Sequence, residues 1–133
     1  MASKTPQPTE IKLHQKSRTL EIGFADAKTF SLPCEFLRVY SPSAEVRGHG
    51  PGQEVLQTGK KNVEITAVEP VGSYAILLRF SDGHDTGIYS WDLLYDYGMR
   101  QDEMWTHYLE RMKEAGASRE PGSASFEQRP KSK

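Results

Sequence analysis

The amino-acid sequence predicts an α+β domain: a small, mostly antiparallel sheet of about six strands, with a short helix after the third strand and two C-terminal helices. Apolar and polar residues alternate in the first third and in the middle of the chain, as they do in strands with one buried face. Towards the C-terminus, apolar residues recur at helical spacing instead. With 36% hydrophobic residues in a chain of 133, there is enough apolar material for one core.

The predicted limits of the domain follow from the polar ends of the chain. Residues 1–9 and 117–133 are rich in Ser, Pro, Gln, Gly and charged residues, and they lack apolar periodicity. Burial in these segments would not offset the entropy lost on ordering them, so we predict a disordered tail at each end. Residues 10–116 then form a single domain.

Three strands and a short helix begin the predicted domain. Residues 11–13 and 20–24 carry alternating apolar side chains around a Lys-Ser-Arg turn, a pattern typical of a hairpin. A short third strand is predicted at residues 30–32. Because helices tolerate proline best in their first turn, Pro33 marks the start of a short helix that ends at Ser41.

A glycine-rich segment follows this helix. Residues 46–61 contain four glycines and a proline among few apolar residues, which predicts a loop. The loop does not match a nucleotide-binding motif. Gln53 stands where a dinucleotide fingerprint needs its third glycine, while Glu54 and Lys61 replace the first glycine and the hydroxyl residue of a P-loop.

The second half of the chain is predicted to contain three more strands and two helices. The strands fall at residues 63–68, 74–80 and 86–89, where branched and aromatic side chains alternate with polar ones. Helices are predicted at residues 91–97 and 101–115, each with acidic residues in the first turn and an apolar stripe along one side.

Composition and charge narrow the functional classes. Seventeen basic and eighteen acidic residues give a net charge of −1, so we expect neither a nucleic acid nor a membrane surface as partner. Cys34 is the one cysteine, so neither an intramolecular disulfide nor a thiolate metal cage forms within one chain. This cysteine content and the absence of a long apolar run predict a cytoplasmic protein.

A cluster of metal-ligating side chains follows a predicted strand. Asp82, His84 and Asp85 could bind a divalent metal with His49 as a further ligand, and their nitrogen and oxygen donors favour iron over zinc. Alternatively, Asp82 and Gly83 form the tight turn that an Asp-Gly pair makes between alternating strands. The sequence has no Gly-x-Ser-x-Gly nucleophile elbow, and no catalytic residue is predicted.

Three segments carry motifs in a recognisable order. Residues 37–46 contain Leu-Arg followed by Ser-Pro-Ser, residues 48–52 contain His-Gly-Pro-Gly, and residues 81–94 contain Asp-Gly-His and Tyr-Ser-Trp. With these motifs, most of residues 11–98 resembles the gamma-butyrobetaine hydroxylase-like N-terminal domain family. Members of that family occur as bacterial proteins of unassigned function, at the N-terminus of carnitine-biosynthesis dioxygenases, and fused to P-loop iron–sulfur carrier proteins.

The resemblance implies a scaffold that lacks the metal of its dioxygenase relatives. In those relatives a Cys-Pro-Cys-x-x-Cys segment and a later histidine bind zinc, and the matching positions here are Ser41, Ser43, Val46 and His84. Because serine and valine do not replace thiolates at neutral pH, we expect no zinc and no other cofactor. The hydroxylase chemistry lies in a separate jelly-roll domain of those relatives, so we expect no dioxygenase activity.

Polar side chains would then take the place of the family's metal. We predict that Arg38, Ser41, Ser43, His49 and His84 form the binding surface of a non-enzymatic interaction or accessory module. Their hydrogen-bond donors suit a carboxylate-bearing protein or peptide. The fusions within the family suggest a link to iron–sulfur cluster maturation. In the alternative, the serines and His84 hydrogen-bond one another as a structural substitute for zinc.

Overall fold

The computed structural model describes residues 5–48 and 54–121, and in these ranges the chain forms two three-stranded antiparallel sheets and four helices. The first sheet contains β1 (Pro8–His14), β2 (Thr19–Phe24) and β3 (Thr29–Pro33), and the second contains β4 (Ile65–Val71), β5 (Ala75–Phe80) and β6 (Gly87–Ser90). The helices are α1 (Cys34–Val39), α2 (Ala44–Arg47), α3 (Trp91–Met99) and α4 (Gln101–Ala115). The predicted α+β class, with its six strands and two C-terminal helices, is confirmed.

The arrangement of the strands differs from the single sheet that the sequence predicted. The strand order is β1-β2-β3 in one sheet and β4-β5-β6 in the other, so each sheet is a simple meander. Between β3 and β4 the chain passes through α1 and α2. The single turn of α2 lies partly in the segment predicted as a loop, and it forms because the Ser43 hydroxyl accepts a hydrogen bond from the backbone N–H of Glu45.

The turn between β5 and β6 positions the candidate site. Gly83 has a φ of 91°, a left-handed conformation that glycine adopts without steric cost. Its N–H donates to the carbonyl of Phe80, and the N–H of Phe80 donates to the carbonyl of His84. The Asp82-Gly83 pair therefore makes the tight turn that the sequence offered as one reading, and this turn brings His84 beside the end of β5.

One main core lies between the two sheets and the helices. The alternation in β2 buries Leu20 and Ile22 completely, and β5 and α3 contribute Leu78 and Leu94 in the same way. Gly98 lets α3 pack against β3, because a Cβ atom there would collide with the ring of Phe30. No helix in the described ranges is long and apolar enough to cross a bilayer.

The ordered chain extends beyond the predicted limits of the domain. β1 begins at Pro8 rather than at residue 10, and the segment after α4 contacts the domain as far as residue 120. The backbone N–H of Gly59 donates to the carbonyl of Ser118, and that of Lys61 donates to the carbonyl of Arg119. These residues are held by polar contacts, which apolar periodicity does not register. The remaining tail residues, 1–4 and 122–133, lie outside the described ranges.

Arg119 anchors this C-terminal segment. Its guanidinium donates two hydrogen bonds of 2.7 Å to the carboxylate of Glu35, whose side chain is only 8% exposed on α1. The same guanidinium lies 5.3 Å from the centre of the Trp105 ring. The ion pair raises the pKa of Arg119. A residue predicted to lie in a disordered tail thus neutralises a carboxylate in the domain interior.

Replacement of Arg119 by glutamine should destabilise the domain. The Arg119→Gln variant leaves the Glu35 carboxylate buried without a cation, and a buried group deprived of its partner costs about 1–3 kcal/mol. Urea denaturation measures the free energy of unfolding. Lys61→Gln is the matched control, because it removes the exposed ion pair between Lys61 and Glu120. Equal stability of the two variants would show that Arg119 is not an anchor.

Candidate functional site

The candidate site lies where the corner between α1 and α2 meets the β5–β6 hairpin. Ser41 and Ser43 lie in the corner, while His84 and Thr86 lie in the hairpin. Ser41 Oγ is 2.8 Å from His84 Nε2, and Ser43 Oγ is 2.7 Å from Thr86 Oγ1. These two contacts join segments that are 43 residues apart in the sequence. Together with Glu45, the four residues are called the polar network below.

Both nitrogens of the His84 ring have partners in the polar network. Nδ1 lies 3.1 Å from Oε1 of Glu45, and a carboxylate only accepts, so the Nδ1–H donates to it. In the neutral ring Nε2 then accepts the hydrogen of the Ser41 hydroxyl. Burial and the nearby positive charge of Arg38 lower the pKa of His84, although Glu45 and Asp82 oppose this shift. The network therefore holds a neutral imidazole.

Asp82 forms a second polar group beside the network. Its Oδ2 accepts hydrogen bonds from Arg38 Nε at 2.8 Å and from Lys60 Nζ at 2.6 Å, and its Oδ1 accepts from the backbone N–H of His84. Burial alone would raise the pKa of Asp82. The hydrogen bond from Lys60 and the charge of Arg38 outweigh burial and lower this pKa to about 2. Asp82 thus ties α1 and the segment before β4 to the β5–β6 turn.

Gly87 and Tyr89 close the network on its inner side. A Cβ atom at Gly87 would lie 2.5 Å from Ser41 Oγ and 3.1 Å from the Tyr89 ring, closer than side chains pack. The Tyr89 hydroxyl donates to the carbonyl of Leu37 at 2.6 Å, and burial raises the pKa of Tyr89. A glycine at this position of β6 is therefore what lets the serine reach the histidine.

Ser41 contacts His84, and His84 contacts Glu45, in the same order as the residues of a Ser-His-Glu catalytic triad. The surroundings of Ser41 oppose catalysis, since the residue is only 1% exposed and its Oγ also accepts the backbone N–H of Ser43 at 3.2 Å. A nucleophile must meet a substrate carbonyl, and Gly87 already packs against this oxygen. The arrangement acts as a buried crosslink between two segments.

The residues of the predicted binding surface lie mainly in the interior. The structure brings Arg38, Ser41, Ser43 and His84 together, but all four are buried, and most of their polar atoms contact one another or Asp82. A buried donor that already has a hydrogen-bond acceptor is not accessible to a binding partner. One nitrogen of Arg38, Nη1, is buried with no hydrogen-bond acceptor among the described residues. His49 lies outside the described ranges.

The predicted metal ligands do not come together in a way that fits an iron site. The Asp82 carboxylate forms ion pairs with the side chains of Arg38 and Lys60. The Asp85 carboxylate pairs with Arg79 at 3.1 Å on the exposed side of the second sheet. Both ring nitrogens of His84 are engaged. Within residues 5–48 and 54–121, no three His, Cys, Asp or Glu side chains are placed to hold a metal ion. His49, the fourth predicted ligand, lies outside these ranges.

A cleft of about 540 Å³ opens beside the polar network, and Ser41 contributes to both. Apolar side chains and two arginines line it, together with one carboxylate. The hydroxyl of Tyr97 donates to the carbonyl of Tyr40 at 2.7 Å. The described lining residues are Val39, Tyr40, Ser41, Val46, Arg47, Gly48, Glu54, Val55, Tyr97 and Arg111.

Sequence reasoning missed the arginines of this cleft. Arg47 follows the Ser-Pro-Ser motif in α2, whereas Arg111 lies in the last turns of α4, 64 residues later. Each looks like an ordinary exposed helix residue, because no motif links them. Val55 gave a weak signal, since Val55 and Leu56 are apolar residues in an otherwise polar segment, and Val55 is 51% exposed.

The chain is a small α+β domain in which a buried polar crosslink lies beside an open cleft. A family model for the gamma-butyrobetaine hydroxylase-like N-terminal domain matches residues 11–95. The chain belongs to this family, and the resemblance of its motifs is thereby confirmed.

Solved structures agree with this assignment. Two NMR solution structures of proteins are 49% and 57% identical to this chain, with TM-scores of 0.77 and 0.78. The first comparison covers 88% of this chain and 92% of the other, and the second covers 91% and 90%. A crystal structure from Acidithiobacillus ferrooxidans, described as a DUF971 family protein of unknown function, is 43% identical with a TM-score of 0.56, covering 66% of this chain and 88% of the other. No curated protein matches this chain.

The stability of the domain should depend on the titration of His84. Because its pKa is lowered in the folded state, the unfolded chain takes up the proton first as the pH falls. The free energy of unfolding should therefore be highest above the ordinary histidine pKa of about 6.5 and should decrease as the pH falls below it towards the folded-state pKa. Chemical denaturation of wild type and His84→Gln at a series of pH values measures this effect.

The difference in unfolding free energy between the wild type and His84→Gln should shrink as the pH falls from about 8 to about 5. Arg38, Glu45 and Asp82 face the imidazole and remain in both proteins, so their titration largely cancels in this difference. His14→Gln, which changes a half-exposed histidine of β1, is the control. A difference that stays constant over this pH range would contradict a neutral His84.

Proposed function

We propose that this chain is a non-enzymatic protein-interaction module that binds its partner at the cleft beside the polar network. The observation that carries the proposal is the cleft itself, whose volume of about 540 Å³ lies within the range of small-ligand sites. Its walls combine valine and tyrosine side chains with a few charged groups, which is the composition expected of a recognition site.

The rigidity of the cleft's surroundings supports the proposal. Ser41 lies in the corner that the polar network fastens to the β5–β6 hairpin, Val46 lies in α2 directly after it, and both residues are buried. Tyr97 projects from α3 and is fixed by its hydrogen bond to Tyr40. A preformed site of this kind loses little conformational entropy when a partner binds.

Proteins of iron–sulfur cluster maturation are the first partners to test. The reason is the fusion of family members to P-loop iron–sulfur carrier proteins, which joins the two domains in one chain. A metal site around His84 is the weaker candidate, because basic side chains already form ion pairs with both carboxylates. Arg38 and Lys60 pair with Asp82, and Arg79 pairs with Asp85.

A charge at Val55 should abolish partner binding. Val55→Asp places a carboxylate on the exposed apolar side chain of the cleft, and its desolvation on contact would weaken an interface. Ile88→Asp is the matched control, since Ile88 is similarly exposed, at 45%, but lies on β6 of the second sheet. Affinity capture from the native cell extract, followed by mass spectrometry, compares wild type with both variants.

We expect proteins captured by wild type and by Ile88→Asp to be lost with Val55→Asp, while circular dichroism shows both variants folded. Capture of the same proteins by both variants would refute the cleft as the binding site. Labelling of Ser41 by a fluorophosphonate would refute the non-enzymatic assignment, because that reagent modifies activated serine nucleophiles.

A further inference from the structure

We infer that the cleft recognises a free carboxylate on an apolar residue, namely the C-terminal residue of a partner peptide, through Arg47 and Arg111. This inference rests on the proposed function and adds the chemistry of the partner. It rests on three observations. Arg47 and Arg111 have no carboxylate partner among the described residues, the described lining of the cleft has a surplus of positive charge, and the walls of the cleft are apolar.

The arginines of the described ranges divide into two groups. Five of the seven have a carboxylate oxygen within 4.0 Å, and the remaining two, Arg47 and Arg111, have none among the described residues. Both of these arginines line the same cleft. The paired arginines are Arg18, Arg38, Arg79, Arg100 and Arg119.

The guanidinium groups of the cleft are available to a ligand. The polar contact of Arg47 is a long one of 3.5 Å, from its Nη2 to the Tyr97 hydroxyl. Arg111 is half-buried on α4, and its charge acts on Tyr40, where it opposes the effect of burial on the pKa of that tyrosine. A guanidinium binds a carboxylate through two parallel hydrogen bonds, which neither arginine makes within the described chain.

The balance of charge in the cleft favours one carboxylate over a more highly charged anion. The two arginines contribute two positive charges, and Glu54 contributes one negative charge to the described lining. The surplus of one positive charge matches a monoanion. A phosphate group carries close to two negative charges at neutral pH and would leave the site negative.

The apolar walls specify what the carboxylate is attached to. Val39, Val46 and Val55 line the cleft together with the rings of Tyr40 and Tyr97. These groups gain by burying an aliphatic side chain, at about 25 cal/mol for each Å² of apolar surface removed from water. A C-terminal leucine offers the required combination, because its carboxylate and its side chain leave the same Cα atom.

Two short peptides that differ only at the C-terminus test this inference. N-acetyl-Ala-Ala-Leu with a free carboxylate is titrated into the isotope-labelled protein, and amide chemical shifts are followed by NMR. The amidated form of the same peptide is the matched control. We expect the free acid to shift the amides of Arg47, Val55 and Arg111, and to bind at least about tenfold more tightly than the amide, which corresponds to about 1.4 kcal/mol.

Two variants assign the effect to the arginines. Arg47→Gln and Arg111→Gln should each reduce binding of the free acid towards that of the amide, while Arg18→Gln, on the β1–β2 turn, should leave it unchanged. Folding of each variant is checked in the same spectra. Binding of acid and amide with equal affinity, or of neither, would overturn the inference.

The source of the carboxylate is distinguished in a third titration. N-acetyl-leucine carries the carboxylate and side chain without the preceding peptide, so equal affinity for this small acid would overturn a peptide as the occupant. The proposed function is tested separately by Val55→Asp. A partner that requires Val55 but does not distinguish acid from amide would leave the interaction module standing and remove only the carboxylate.

Discussion

The hydrogen bond between the Ser41 hydroxyl and the His84 imidazole is the contact on which the candidate site depends. It joins the corner after α1 to the β5–β6 hairpin, and both side chains are buried. A buried polar group left without its partner costs about 1–3 kcal/mol, so each of these side chains requires the other. Because the same corner carries Tyr40 and leads into α2 with Val46, this bond also sets one wall of the cleft.

The resemblance of the motifs implies that the polar network lies where the dioxygenase relatives of the family bind zinc. Three metal–thiolate bonds and one metal–imidazole bond fasten the two segments there, whereas hydroxyl groups, a neutral imidazole and the exposed carboxylate of Glu45 fasten them here. The geometry therefore favours the reading in which serines and His84 substitute structurally for the metal. A link made through an imidazole is sensitive to the protonation of His84.

The sequence predicted much of the fold because its signals were local. Alternation around residues 20–24 and the Asp82-Gly83 turn each specify an element by themselves, and these elements are present. The division of six strands into two sheets could not be predicted, because it depends on packing around α1. The anchoring role of Arg119 was missed for a related reason, since the polar segment around it shows no periodicity and its partner Glu35 is 84 residues away.

The candidate site was predicted in its residues but not in its exposure. The motifs located Arg38, Ser41, Ser43 and His84, yet only the structure shows that their polar atoms face inwards. Burial depends on the close approach that Gly87 permits, which is a tertiary contact. Arg47 and Arg111, which lack a carboxylate partner among the described residues, come to one cleft through the packing of α4 against the α1–α2 corner, and no spacing in the sequence records that contact.

A double-mutant cycle on Ser41 and His84 tests the central claim most directly. Unfolding free energies are measured for Ser41→Ala, His84→Ala and the double variant at about pH 8, where the imidazole is neutral. If the hydrogen bond links the two segments, the single variants should each be strongly destabilised and the double variant should be little worse, with a coupling energy of about 1 kcal/mol or more. Effects that add to within about 0.3 kcal/mol would contradict the account.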